Sequence, residues 1–424
     1  MTWFGKDGPE ASEMSSWRCE EGVIVPCRWV TSVRGQRRRD RWEADEGSSV
    51  MEGMPEGPAE DWKPYAVQLG DRLTRDGVLT DPALHRAVVN VPRHLFVPTF
   101  FPSTPTGYGP PVTSRTPGYL SAVYSDQTLV TRLAEHHGGT FAVSSSTAPS
   151  LMLRMLRELD LLDAMRVLEI GTGTGYNAAL LCERLGDRLV CTIDVDPDVT
   201  TTAWRHLKAA GYDPVAGCRD GQDGYPERAP FDRIIATVSF PRVPWAWVKQ
   251  TVPGGLILAD LRPPGALWTG GLAKLTVDHG SASGHLLPCR AGFMPARHGD
   301  ASGYPEPPAL DKTRARRRAT AVPGEALMAE GLGLMVWAKL PGLIVFPGAD
   351  EVTLIANRSW ATVPRRGVGL VRFGGSGDVW EVAEAARATW LGAGSPTVER
   401  FGLTVRAHEQ TLWLDRPDIP VGWL

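Results

Sequence analysis

Residues 169–176 read Glu-Ile-Gly-Thr-Gly-Thr-Gly-Tyr and lie between an apolar run and an amphipathic stretch. Glycines at alternate positions let the backbone turn tightly and approach a ligand where a Cβ would clash, and the helix expected next offers unpaired N–H groups. The spacing is GxGxG and not the dinucleotide GxGxxG. Glu169 stands two positions before Gly171, where a carboxylate suits a positively charged amino group better than a pyrophosphate. Two further acids close the next apolar runs. Asp194 stands where a carboxylate bonds ribose hydroxyls, and Asp220, followed by Gly221, can accept from an adenine amino group. Glu169, Gly171, Thr172, Gly173, Gly175, Asp194, Asp220 and Gly221 therefore form a candidate site for a ligand with an amino-acid end, a ribose, an adenine and no phosphates. S-adenosyl-L-methionine has that description. Taken singly, Asp194 and Asp220 are ordinary helix caps or turn residues, and only the set is specific.

These residues need strands that end together. Short apolar runs at Arg166 to Ile170, Leu189 to Ile193, Val215 to Cys218, Arg233 to Thr237 and Gly255 to Ala259 read as strands. Helical periodicity separates them: Asn177 to Leu185 is apolar at i, i+3, i+4 and i+7, and Pro197 to Ala210 opens on a proline. Strands alternating with helices predict an α/β, doubly wound, Rossmann-like parallel sheet. Leu272 to Val277 and His285 to Leu287 read as an antiparallel hairpin at its edge. Two short helices from Ala66 and a helix from Ser150 to Leu159 precede the sheet, while Tyr124 to Pro149 carries mixed signals.

Three regions are expected. Residues 1–60 mix charge with Gly, Pro and Ser without periodicity and read as a disordered arm. Residues 61–299 hold the sheet and its helical cap. Residues 300–424 read as a smaller α+β domain, with a basic run at Arg314 to Arg318 as a solvated linker, strands near Leu334 to Trp337 and Val352 to Ile355, a helix from Val379 to Trp390 and a terminal hairpin.

The 424 residues are 42% hydrophobic and 22% charged, an ordinary globular composition that excludes a wholly disordered chain. No apolar run is long enough to span a membrane, and the first thirty residues are charged where a secretory signal would be apolar. A net charge of -3 gives no global field to concentrate nucleic acid. The six cysteines form no CxxC pair, which suits reduced thiols in the cytoplasm. His136-His137 has no ligand-spaced companion, so no metal is expected.

Several segments make the chain resemble the protein-L-isoaspartate O-methyltransferases. They are VPRHLFVP at Val91 to Pro98, Tyr124-Ser125-Asp126, Ser146-Thr147-Ala148-Pro149 before a helix, the glycine loop itself, Asp220-Gly221, APFDRII, and LPCRAGFMP at Leu287 to Pro295. The resemblance covers about residues 66–297. It implies a class I methyltransferase fold and methyl transfer from S-adenosylmethionine to the carboxylate of an isoaspartyl or aspartyl residue in a protein or peptide acceptor. It also implies that Thr147, matching the family's serine before the proline-led helix, hydrogen-bonds the acceptor carboxylate, with Ser145 and Ser146 beside it.

Such chemistry needs no strong base, because a carboxylate with a reference pKa near 4 is already ionised at neutral pH. The enzyme must supply a dry pocket and in-line alignment. Thr147 also stands where a helix cap is expected. The family's short glycine-containing stretch ending in Gln-Thr-Ile-Ser is replaced here by some twenty residues ending in Ser144-Ser145-Ser146-Thr147. That change, with the C-terminal extension, points toward relatives that esterify an ordinary Asp in a ribosomally made peptide and so prepare an imide. A catalytically silent peptide-holding relative, a methyltransferase of a small-molecule carboxylate and an NAD-dependent oxidoreductase are the competing readings.

Overall fold

The computed structural model describes residues 61–424 except 106, 137–138, 266–268, 290, 299–302, 304, 307–308 and 330. Before residue 61 it describes only Trp17–Glu20 and Val23–Pro26, an antiparallel pair. The disordered-arm reading of the other residues up to 60 lies outside the described part.

Neighbouring residues of the apolar runs serve opposite sides of one sheet. Leu168, Ile234 and Ile257 join one core, and Val167, Ile235 and Leu258 join the other, as the two-residue period of a sheet covered on both faces requires. The sheet has ten strands. Val215–Cys218, Val190–Asp194, Val167–Ile170, Phe231–Phe240 and Thr251–Leu261 run parallel in that spatial order. Gly271–Asp278 and Ser281–Leu287 then add the antiparallel hairpin. Strand order reverses between Val167–Ile170 and Phe231–Phe240, and the crevice at such a switch point is where open α/β sheets bind ligands.

The helices over one face are Lys63–Arg75, Pro82–Asn90, Pro149–Glu158 and Tyr176–Leu185. Asp81 caps the second, accepting from the Ala83 N–H at 2.7 Å, with Pro82 at its first position.

Three expectations change. The mixed stretch before the serines is a β-hairpin, Leu129–His136 with Gly139–Ser146. Leu334 to Trp337 belongs to a helix, Leu332–Lys339, buried on every side; a helix apolar all round shows no 3.6-residue contrast and reads like a strand. The basic run is no linker, because Arg316–Thr320 is an edge strand of a five-stranded antiparallel sheet with Gly369–Gly374, Ser359–Pro364, Glu351–Ala356 and Ile344–Pro347.

The boundary expected at residue 300 does not divide the main sheet. Phe401–Val405 pairs with Ser281–Leu287, and Gln410–Leu414 and Pro420–Trp423 continue outward. One core runs from Ile170 and Trp247 to Leu332, Trp380 and Phe401. The Gln410 amide both accepts from the Val243 N–H at 3.0 Å and donates to the Val243 carbonyl at 2.6 Å. Among the described residues no helix is long and apolar enough to cross a membrane.

Candidate functional site

The glycine loop leaves strand Val167–Ile170 and enters helix Tyr176–Leu185. Gly171 has φ +98°, and a Cβ there would stand 2.9 Å from both Thr237 Oγ1 and Val238 Cγ1, so only glycine fits. The Gly171 and Thr172 N–H groups donate to the Ile193 carbonyl at 2.8 and 3.1 Å, tying the loop to the neighbouring strand. The Gly173 N–H donates to Asp194 Oδ2 at 3.1 Å, and the Asp196 N–H to Asp194 Oδ1 at 3.2 Å. Burial pushes the Asp194 carboxyl up, against those two amides and the nearby Arg297 charge.

Below the loop, Glu169 is 1% exposed and doubly held. Its Oε1 accepts from Asn177 Nδ2 and its Oε2 from Thr192 Oγ1, each at 2.7 Å. Burial pushes this carboxyl up to about 7, with the bonds from Thr192 and Asn177 opposing.

The opposite wall comes from the hairpin. Its register slips on both sides of Arg132, and Ser144, Ser145 and Ser146 follow on the returning strand. Such irregularities bend a strand and re-aim its side chains. Thr147 and Ala148 lead into helix Pro149–Glu158, whose cap is Ala148 with no capping side chain of its own. The capping expected of Thr147 is done elsewhere: Thr128 Oγ1 accepts from the Ala148 N–H at 3.1 Å and Asp126 Oδ1 from the Ser150 N–H at 2.8 Å. Arg93 of the VPRHLF segment is wholly buried and donates to four carbonyls, of Val123, Ser125, Gln127 and Thr147, at 2.7 to 3.2 Å. Sequence reasoning used VPRHLF as a family mark and missed this role, which only the fold displays.

The two walls meet. A cleft open to solvent is lined by Ser144 to Thr147, Glu169 to Thr174, Tyr176, Asn177, Asp194, Gly221, Thr237 and the 294–297 segment. Position 173 is close enough to the hairpin that a Cβ would lie 3.4 Å from the Ser145 carbonyl oxygen. The 294–297 segment is held by Ser239, whose N–H donates to the Met294 carbonyl at 2.9 Å and whose carbonyl accepts from the Ala296 N–H at 2.8 Å. Asp196, capping helix Pro197–Ala209, receives Arg132 from the hairpin at 3.0 Å and Arg297 from the opposite wall at 3.2 Å. Although burial raises its carboxyl, the Val199 amide and these two guanidinium groups hold it below the usual range.

Thr147, Ser145, Ser146, Glu169, Gly171, Thr172, Gly173, Asp194 and Gly221 are thus brought together, and Gly175 and Asp220 are not. Gly175 instead faces the Ala203 carbonyl of the adjacent helix. The Asp220 carboxylate accepts from the Gln222 N–H at 2.8 Å and meets His298 Nδ1 at 2.9 Å. Gly221 reaches the wall in its place, where a Cβ would meet Ile170 Cγ2 at 2.5 Å. Among the described residues no group of His, Cys, Asp and Glu could hold a metal ion.

The residues fit S-adenosylmethionine. Gly171 leaves room that a Cβ would fill, and Ser146 Oγ, Tyr176 OH and Asn177 Oδ1 are buried polar atoms with no partner among the described residues. The sheet order, the loop and the cleft define a class I methyltransferase. Residues 66–265 match the family model for protein-L-isoaspartate(D-aspartate) O-methyltransferase, and the protein-L-isoaspartate O-methyltransferase of Hyperthermus butylicus is 33% identical over 46% of this chain and 73% of its own. The chain belongs to the protein-L-isoaspartate O-methyltransferase family. Protein-L-isoaspartate O-methyltransferase 1 of Archaeoglobus fulgidus is 35% identical over 46% of this chain and 77% of its own. A solved protein-L-isoaspartate O-methyltransferase structure, 21% identical, matches 83% of this chain and 100% of its own with a TM-score of 0.50.

Proposed function

We propose that this chain transfers the methyl group of S-adenosylmethionine to a carboxylate oxygen of an isoaspartyl or aspartyl residue in a protein or peptide. The observation that carries the reading is the meeting of the glycine loop with Ser144 to Thr147 in one cleft. The cofactor supplies a methyl group made electrophilic by its sulfonium. The chain's own task is placement: Asp194 accepts from the ribose hydroxyls, Gly221 lets the adenine end approach, and the Thr147 hydroxyl, free of capping, donates to one oxygen of the acceptor carboxylate. Ser146 is 2% exposed and its unpartnered Oγ offers a second donor, with Ser145 beside it. The other carboxylate oxygen attacks the methyl carbon as the carbon–sulfur bond breaks, leaving a methyl ester and a neutral thioether. The following backbone nitrogen can then displace methanol to give a succinimide.

The acceptor's finer identity divides between any isoaspartyl site and an ordinary Asp in one particular peptide. The hairpin in place of the family's short stretch favours the second, because it rebuilds the wall that faces the acceptor. In this reading residues 300–424 help select the acceptor, and the thiols of Cys182, Cys191 and Cys289, held in no disulfide, suit the reducing cytoplasm. Methyl transfer from labelled S-adenosylmethionine to an isoaspartyl peptide and to its aspartyl isomer tests the proposal. Transfer to neither, by protein that binds S-adenosylhomocysteine, would return the lead to a silent peptide-holding relative or a small-molecule acceptor.

A further inference from the structure

Asn177 lies in the first turn of the helix that follows the glycine loop and is 8% exposed. Its Nδ2 donates to Glu169 Oε1 at 2.7 Å. That bond turns the donor end of the amide toward Glu169. Glu169 cannot turn away, because its other oxygen is held by Thr192 Oγ1, which in turn is 2.7 Å from Thr172 Oγ1. The free end of the amide, Oδ1, is buried with no hydrogen-bond partner among the described residues. Buried acceptors in native proteins are nearly always satisfied. Asn177 and Glu169 both line the cleft, so a ligand there can bring the missing donor.

We infer that Asn177 Oδ1 accepts a hydrogen bond from the ammonium group at the amino-acid end of the cofactor, with Glu169 as the positioning residue behind it. The inference rests on the proposed reading that the cleft holds S-adenosylmethionine. The donors on that molecule are two ribose hydroxyls, an adenine amino group and the ammonium. The hydroxyls are matched by Asp194, and the adenine belongs beside Gly221. Only the ammonium remains for an acceptor next to the glycine loop. Charge supports the match, since Glu169 places a carboxylate one hydrogen bond behind the amide, and burial of both side chains leaves that charge poorly screened. The sequence motif suggested direct contact between Glu169 and the amino group; in the inferred arrangement the Asn177 amide meets that group and Glu169 stands behind it.

The test compares two ligands that differ at that end alone. S-adenosylhomocysteine carries the amino acid, and 5′-methylthioadenosine keeps the nucleoside and thioether without it. Asn177→Leu removes both amide atoms. Asn177→Thr keeps a hydroxyl that can donate to Glu169 and supplies no second oxygen, so it guards against a folding defect in the first variant. By calorimetry both folded variants should bind S-adenosylhomocysteine at least about tenfold more weakly than wild type, the size expected for a hydrogen bond to a charged group. Their affinity for 5′-methylthioadenosine should be unchanged. Wild-type affinity of the variants for S-adenosylhomocysteine would overturn the assignment. So would a parallel loss of 5′-methylthioadenosine binding, which marks damage to the glycine loop. Wild-type protein that binds neither ligand would overturn the cofactor reading itself.

Discussion

The guanidinium of Arg93 donates to the main-chain carbonyl of Thr147 at 3.2 Å from a position with no solvent exposure. The same group holds the carbonyls of Val123, Ser125 and Gln127 and lies 5.5 Å from the centre of the Tyr176 ring. One side chain thereby joins the entry of the serine hairpin, its exit and the helix after the glycine loop. Burial pulls the Arg93 pKa down, with Tyr176 and Asp126 opposing, yet an arginine remains charged in any protein interior.

Lysine cannot repeat this arrangement, because a point ammonium does not span four carbonyls on two segments. Arg93→Lys should lose roughly 2 kcal/mol or more of stability through acceptors left unsatisfied. It should also lower kcat more than it weakens S-adenosylhomocysteine. Thermal unfolding and steady-state kinetics measure both, and an unchanged kcat would show that the hairpin holds Thr147 without this tie.

Thr147 should matter to turnover more than to cofactor binding, since its proposed partner is the acceptor carboxylate in the transition state. Removing the hydroxyl at nearly constant volume, Thr147→Val should reduce kcat by about ten- to a hundredfold, the worth of a hydrogen bond to a charged group. Thr147→Ser should keep much of the activity. Wild-type turnover by the Val variant would leave the hydroxyl without a catalytic part.

Asp194→Ala should weaken S-adenosylhomocysteine by about 1 to 3 kcal/mol, because ribose hydroxyls would be left without an acceptor. The Gly173 N–H loses its partner as well, so thermal unfolding should accompany the titration. A folded variant with undiminished affinity removes the ribose assignment.

Burial raises Glu169 from 4.5 to about 7. A carboxyl raised in the folded state is protonated more readily there, so its contribution to stability is complete below about pH 4.5 and is lost as pH rises through about 7. Free wild-type protein should therefore lose melting temperature between pH 5 and 7.5 relative to Glu169→Gln. A cationic ligand end favours the ionised form, so S-adenosylhomocysteine should bind more tightly as pH rises over the same interval and release a proton on binding near pH 6.5. Matching pH profiles for wild type and the Gln variant would place the titration elsewhere.

A chain ending at residue 299 should not fold as a stable unit. It would expose the Ser281–Leu287 edge, remove Gln410 from Val243 and open the core that Leu332, Trp380 and Phe401 complete. Soluble, cooperatively melting truncated protein that binds S-adenosylhomocysteine would show that the long sheet is not needed.

The sequence by itself determined the parallel sheet, the glycine loop, Asp194 and the serines before Pro149, because each is written in a short stretch as a two- or 3.6-residue period, a proline or a run of glycines. Tertiary structure decided what depends on partners distant in the chain. The Asp220 carboxylate met His298, the capping expected of Thr147 passed to Thr128 and Asp126, and Asn177 came to donate to Glu169 where both line the cleft. The stretch from Leu129 to Ser146 became a hairpin only because its strands pair with each other, and Phe401–Val405 joined the sheet through a strand more than a hundred residues earlier. Leu334 to Trp337 shows the same limit inside one element: burial on all sides erases the contrast that marks a helix. Local periodicity reports which face of an element is covered; what covers it, and which polar groups meet there, is set by strand pairing and core packing between segments that no local pattern links.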